Sequence, residues 1–171
     1  MDYQKAASYW TEKEKDSVRM EPESLITEIE HFIKSHNTCA LATADLSGFV
    51  RCTPVEYTYT DGRFWILTEG GQKFRGLEQN KNISAAIYDT YTGFKGLGGL
   101  QIMGYVDVIE PWTEEYMKLL DYKHIPAEQL KKLPSPMNLI RITPVSYDFL
   151  LSELKEKGYD SRQHLDITPK H

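Results

Sequence analysis

An arginine on an otherwise apolar and aromatic strand face is the first residue in this sequence that suggests chemistry. In the run 49–60 side chains alternate, so Phe49, Arg51, Thr53, Val55, Tyr57 and Tyr59 share one face. A guanidinium there either pairs with a local carboxylate or receives an anionic ligand, because a buried charge left unpaired is too costly. A second group of residues favours the ligand. Thr68-Glu69-Gly70-Gly71-Gln72-Lys73 joins a strand end to a helix start. A hydroxyl, a lysine, glycines that permit close backbone approach and helix-start N–H groups suit a phosphate monoester. With Arg51 on the adjoining strand, the arrangement reads as a two-sided phosphate clamp.

Other patterns carry less. Gly93-Phe94-Lys95-Gly96-Leu97-Gly98-Gly99 has no following GK[ST] and leads into a strand, so it reads as a connecting loop or site rim and not as a nucleotide loop. The histidines His31, His36, His124, His164 and His171 lack HxxxH or HExxH spacing, and no structural metal is expected. Cys52 follows Arg51 but lies on the opposite strand face and reads as a small packed residue; with Cys39 it makes too few cysteines for a disulfide scaffold, and both are taken as reduced. No GxSxG element is present.

These residues need elements to hold them. After Pro22, placed where a first helical turn has no use for its missing N–H, Leu25, Ile26, Ile29, Phe32 and Ile33 recur at helical spacing. Ala6 to Trp10 and the charged stretch Glu12 to Asp16 also read as helical, a possible docking arm, so residues 1–36 form an N-terminal helical segment. Strands are expected over 38–44, 49–60, 63–68, 83–88, 100–109 and 137–147, with turn chemistry at Asp45-Leu46-Ser47-Gly48 and a type I′ hairpin at Asp61-Gly62. Helices are expected over 72–80 and 113–122, with a turn or two more over 126–133. Residues 89–99 form a long loop, and residues 150–171 a polar, peripheral tail. Six short strands in hairpin succession argue for a mainly β fold, an antiparallel barrel with flanking helices, rather than a parallel α/β sheet.

Composition sets the frame. The chain has 171 residues, 40% hydrophobic and 26% charged, which fits one globular domain spanning 1–171. Its formal charge of −5 opposes general nucleic-acid binding. That charge is uneven: residues 1–30 carry −4, residues 31–109 carry 0 and residues 110–171 carry −1. The strand-rich centre can therefore focus Arg51 and Lys73 on an anion. No run approaches the ~20 apolar residues of a membrane helix, and the expected location is cytoplasmic.

Taken together, Gly48-Phe49-Val50-Arg51-Cys52-Thr53-Pro54-Val55, then Asp61-Gly62, then Thr68 to Lys73, then Leu77-Glu78-Gln79-Asn80, with Gly104 on a later strand, form a pattern. Over residues 25–110 it resembles the FMN-binding split barrel of the pyridoxamine 5′-phosphate oxidase-like superfamily. The resemblance implies a six-stranded antiparallel split barrel and FMN as cofactor. It implies Arg51 and Lys73 at the phosphate and the Thr53, Pro54 and Val55 backbone along the isoalloxazine edge. Leu67, Thr68, Glu69, Gln72 and Gln101 complete the implied set. It further implies a homodimer with flavin sites at the subunit interface, completed by partner residues near Gln101 or Trp112.

The departures are specific. Where the oxidases carry a lysine five residues after the strand arginine, this chain has Glu56, and the oxidases' Arg-Leu-His-Asp-Arg type C-terminal motif is absent from residues 158–171. Oxidation of pyridoxamine phosphate is not expected. The loop from Thr68 to Lys73 is about one residue shorter than theirs, and Gln101 stands about two positions from their flavin-contacting glutamine. The expectation is an FMN-dependent oxidoreductase of small molecules with no side chain nominated as acid or base. A non-catalytic flavin, haem or deazaflavin binding or sensing module, and a structural dimer that has lost its ligand, are the alternatives.

Overall fold

The computed structural model describes Ser8 and residues 17–167. The expected docking arm, Ser8 apart, lies outside the described residues. Helix α1 (Pro22–Lys34) starts with proline in its first turn and buries Leu25, Ile29, Phe32 and Ile33 along one stripe. At ~1.5 to 3 kcal/mol per buried side chain, that stripe is what fixes the helix to the sheet.

All strands pair antiparallel. They are β1 (Thr38–Ala44), β2 (Val50–Glu56), β3 (Thr58–Thr60), β4 (Arg63–Thr68), β5 (Asn82–Tyr88), β6 (Gly98–Ile109), β7 (Asn138–Leu151) and β8 (Arg162–Asp166). Their order is β2-β1-β5-β6-β7-β4-β3, with β8 pairing β7 beyond β4. The two end strands of this order, β2 and β3, are consecutive in the chain, so the sheet curls on itself. This is the mainly β, split-barrel architecture expected from the sequence.

Among the described residues the strand count is eight and not six, for two physical reasons. The expected strand over 49–60 breaks at Tyr57, which is buried; its N–H donates to the Asn37 carbonyl (2.9 Å) and its hydroxyl to the Ile33 carbonyl (2.7 Å). Before that residue the chain pairs β1, and after it β4. The second difference is β8, in the segment read as a polar tail. Its sequence alternates around buried Gln163, whose amide bonds Met20, Val18 and Asp160, and a one-sided edge strand with a polar inward residue has little hydrophobic signal. Leu154, before it, is fully buried.

The inward face carries Leu41, Phe64, Ile66, Ile83, Ile102, Ile142 and Phe149 in the main core. A second cluster, Trp65, Leu139, Ile109, Tyr116, Leu119 and Leu120, lies under helix α3 (Glu114–Tyr122), whose N-cap Thr113 accepts from the Tyr116 N–H. Asp61 (φ 54°) and Gly62 (φ 72°) make the expected hairpin with two positive φ angles. At the β6–β7 register shift, a Cβ on Gly104 would stand 2.7 Å from the Thr143 carbonyl oxygen, so only glycine fits. Two short helices complete the description, α2 (Lys73–Gln79) and α4 (Ala127–Leu130).

Candidate functional site

The β1–β2 hairpin and α2 together position the expected clamp. Arg51, Thr53 and Val55 lie opposite Thr43, Leu41 and Cys39, the inward residues of β1. Val55 packs on the main core, Thr53 is half-buried and Arg51 is exposed. Helix α2 crosses this hairpin closely: a Cβ on Gly76 would sit 3.2 Å from the Thr43 side chain. Leu77 and Phe74 enter the main core, so the helix is anchored and its lysine is carried inward.

Lys73 is buried, only 6% exposed, yet pairs with no carboxylate among the described residues. Its ammonium donates to the Gly70 carbonyl. Burial, and next the facing Arg51 charge, hold its pKa below that of an ordinary lysine. Arg51 likewise forms no ion pair among the described residues. The two cations repel one another, and neither forms an ion pair among the described residues, the nearby Asp45 carboxylate being paired with Arg75. The glycines before α2, at φ 129° for Gly70 and 103° for Gly71, bring the backbone over the lysine in a conformation closed to other residues.

One expectation changes in detail. The helix start offers fewer N–H groups than its position suggested, because the Phe74 N–H already donates to Gly71 and the Arg75 N–H to Gln72 (both 3.2 Å). The site's donors are therefore chiefly side chains. Thr68 accepts from the Gly70 N–H (3.5 Å), and the Glu69 carbonyl accepts from Asn138 Nδ2 (3.4 Å), so both shape the turn.

The remaining expected residues divide. Thr53 Oγ1 is buried with no hydrogen-bond partner among the described residues. Pro54 is exposed on the outer face of β2, a strand paired on one side only. Gln72 lines the same cleft as Arg51. Leu67 packs its side chain into the second cluster, so only its backbone faces the turn. Gln101 is not brought to the clamp by its own chain: it stands on the outer face in one row with Ala86, Ala40 and Pro54. Three strand spacings separate it from Pro54, roughly 14 Å. Trp112 packs on Tyr116 at 5.4 Å, beside α3.

Cys52 is exposed on that outer face, not packed as its sequence context suggested, because no described element covers this part of β2. Cys39 is buried, and burial pushes its thiol up to about 12. Glu56, in place of the oxidases' lysine, accepts from Lys123 Nζ (2.9 Å) and ties β2 to the end of α3. Among the described residues no cluster of His, Cys, Asp and Glu could hold a metal. Sequence reasoning missed Asp45 and Arg75, which line the cleft with Phe49. Their signal was slight: two residues apart on a helix, Lys73 and Arg75 point roughly 200° apart, and only the fold turns both to one hairpin.

The donors suit a phosphorylated ligand. Arg51, Arg75 and Gln72 line the cleft with one carboxylate, Asp45, and Lys73 lies near Arg51, a set in which cationic donors outnumber acids and that suits acceptor oxygens and negative charge. A family model described as pyridoxamine 5′-phosphate oxidase matches residues 25–150. No curated protein sequence matches the chain. Among solved structures, the heme storage protein HutZ of Vibrio cholerae superimposes with a TM-score of 0.57 at 19% identity, covering 74% of this chain and 90% of that one. An FAD-binding protein of Mesorhizobium loti gives 0.58 at 16% identity, covering 71% and 89%. ChuZ of Campylobacter jejuni gives 0.63 at 16% identity, covering 86% of this chain and 61% of that one. At these identities the likeness is one of fold.

Proposed function

Because this chain belongs to the pyridoxamine 5′-phosphate oxidase family, we propose that it binds riboflavin 5′-phosphate (FMN) and serves as an oxidoreductase of small molecules. The observation that carries the reading is the buried Lys73 near Arg51, neither of them in an ion pair among the described residues. These two cations hold the phosphate, with Gln72 at the rim of the same cleft. Thr53 Oγ1, left without a partner, donates to a flavin acceptor beside the open edge of β2. When bound, the flavin supplies the electron-transfer chemistry; the chain supplies orientation and charge. Pyridoxamine phosphate is not the substrate of this reading, since Glu56 stands where the oxidases carry a lysine and their C-terminal motif is absent from residues 158–171.

A homodimer completes the proposal. Ala40, Ala42, Ala44, Ser84 and Ala86 give the outer face of β1 and β5 a low relief, and Val50, Tyr88, Met103 and Tyr105 are exposed around it. A contiguous apolar face of this kind is unusual on a monomer. A second copy on that face would bring its own Gln101 region toward Pro54. Light scattering should give twice the chain mass, and a monomer at micromolar concentration would reject the dimer.

The direct test of the cofactor is the visible spectrum of purified protein and the fluorescence of added FMN. Bound flavin shows as quenching and a shifted absorption band; no change on addition sinks the reading. Haem is the second reading, favoured by one observation. A groove on the outer face, beside Gln101, is lined by Arg19, Tyr88, Asp148, Arg162 and His164, a histidine with two cations that suits a planar dianion. Both His164 nitrogens face carboxylates, Asp148 at 2.7 Å and Asp166 at 3.2 Å, so ligation requires one to let go. Haemin titration that gives a sharp Soret band lost in His164→Ala, with no response to FMN, would exchange the two readings.

A further inference from the structure

The cleft that Arg51 lines contains a second arginine. Arg75 lines it together with Phe49, Gln72 and Asp45. Its Nη2 lies 3.5 Å from Asp45 Oδ2, and its guanidinium carbon 5.9 Å from the centre of the Phe49 ring. The Arg75 side chain is 70% exposed, whereas that of Asp45 is only 4% exposed.

The contact has the character of a holding position. At 3.5 Å it is the longest ion pair among the described residues, beyond the usual 2.7–3.2 Å of an N–H···O hydrogen bond. Asp45 does not depend on it, because Oδ1 accepts from the Ser47 N–H (2.9 Å), the Ser47 hydroxyl (2.5 Å) and the Phe49 N–H (3.1 Å). The Ser47 hydroxyl first among these bonds holds the carboxyl below its ordinary pKa, so it stays charged near neutrality. The backbone of α2 cannot shift to tighten the pair, since Gly76 is already pressed on Thr43. What remains free is the long, exposed arginine side chain. A phosphate monoester offers three terminal oxygens, while Arg51 reaches it from the strand and Lys73 from beneath the glycine turn.

We propose that Arg75, held by Asp45 only at 3.5 Å, is a third cation of the phosphate site that turns to a phosphomonoester dianion seated on Arg51 and Lys73. Asp45 then tunes affinity by competing with the ligand for Arg75. The inference rests on the phosphate site proposed above.

The test is fluorescence titration with FMN and with riboflavin, which lacks the phosphate, at matched ionic strength. Arg75→Ala weakens FMN binding about tenfold, the scale of one charge-assisted hydrogen bond, and leaves riboflavin unchanged, while Arg75→Lys keeps most of the affinity. Asp45→Asn retains an oxygen for Ser47 and Phe49 but removes the charge, so FMN binds more tightly, and the gain disappears when Arg75→Ala is added. Should Asp45→Asn fail to fold, the exposed Arg75 variants decide alone. Equal FMN affinity in wild type and Arg75→Ala overturns the inference. If Arg51→Ala is equally without effect, the phosphate site itself is misplaced; if Arg51→Ala weakens FMN while Arg75→Ala does not, only the third cation falls.

Discussion

Arg141 on β7 and Arg51 on β2 are arginines on strands of one sheet, set in opposite surroundings. Arg141 donates from Nη1 to Glu115 (2.5 Å) and from Nη2 to Asp107 (2.8 Å), linking α3, β6 and β7. Nearby, Lys123 bonds Glu56 (2.9 Å) and Thr58 (3.1 Å), and Lys118 pairs with Glu114 (2.7 Å). In the β1–β2 and α2 corner, Arg51 and Lys73 face one another with no such ion pair, and Thr53 keeps an unpartnered hydroxyl. The α3 corner pairs these cations with carboxylates among the described residues, although Arg141 Nε and Trp65 Nε1 there lack a hydrogen-bond partner as Thr53 does. The hairpin corner leaves Arg51 and Lys73 without an ion pair among the described residues, an arrangement that suits an anion.

The widest separation between the two corners should come from ligand affinity. Arg51→Ala combined with Lys73→Ala lowers FMN affinity of the order of 10²-fold or more, at ~1.5 to 3 kcal/mol for each charged hydrogen-bonding group. Fluorescence titration measures it, and retained affinity would place both corners in the same structural class. Next is apo-protein stability by urea unfolding. Arg141→Met costs about 1 to 3 kcal/mol, below the range for a fully buried pair because Asp107 and Glu115 are partly exposed. Lys73→Met, by contrast, leaves apo stability equal or higher. The sign follows from the depressed Lys73 pKa: the folded state disfavours the ammonium, so the lysine is a burden at pH below its ordinary 10.5 that lightens as pH rises toward it. A loss of stability in Lys73→Met would break the contrast.

Thr53→Val should be smaller, raising apo stability by up to about 1 kcal/mol through removal of an unpaired buried hydroxyl, while weakening FMN. Thermal shifts with and without FMN show both signs in one experiment. The least effect belongs to His164, whose pKa the Asp148 hydrogen bond raises first and Asp166 second. The stabilisation is complete below the unfolded value near 6.5 and is lost as pH climbs through the higher folded value. His164→Gln should flatten the melting temperature between pH 6 and 8 by the equivalent of less than about 1 kcal/mol, as for exposed pairs. A slope unchanged by the substitution would remove His164 as its source.

Much of this was legible in residues. Pro22 with the Leu25, Ile29 and Ile33 stripe announced α1, Asp61-Gly62 announced its hairpin, and Thr113 its cap, because each is a local conformational preference that tertiary packing had no reason to overrule. Tyr57 and β8 were not legible. A β-branched and aromatic run gives no sign of where it changes partners, and Arg162-Gln163-His164-Leu165-Asp166 becomes a strand only because the long β7 offers it an edge. Alternation puts Cys52 opposite the apolar residues of its strand, but whether that outer face is covered is decided by packing, and here it is exposed.

By itself the sequence determined the types and the near-neighbour spacing of the donors, an arginine on a strand face and a lysine after two glycines, since charge, hydrogen-bonding capacity and turn propensity are carried by single residues. The tertiary structure decided that the two cations lie near one another without an ion pair among the described residues, that Asp45 and Arg75 share the cleft of Arg51, and that Gln101 stands on the far side of the outer face. The physical reason is that charge compensation is a property of neighbours in space. Residues 45, 51 and 75 share one cleft, with Lys73 near Arg51, because Gly76 lets α2 lie against β1, and Coulomb and desolvation energies depend on distance in space and not on separation along the chain.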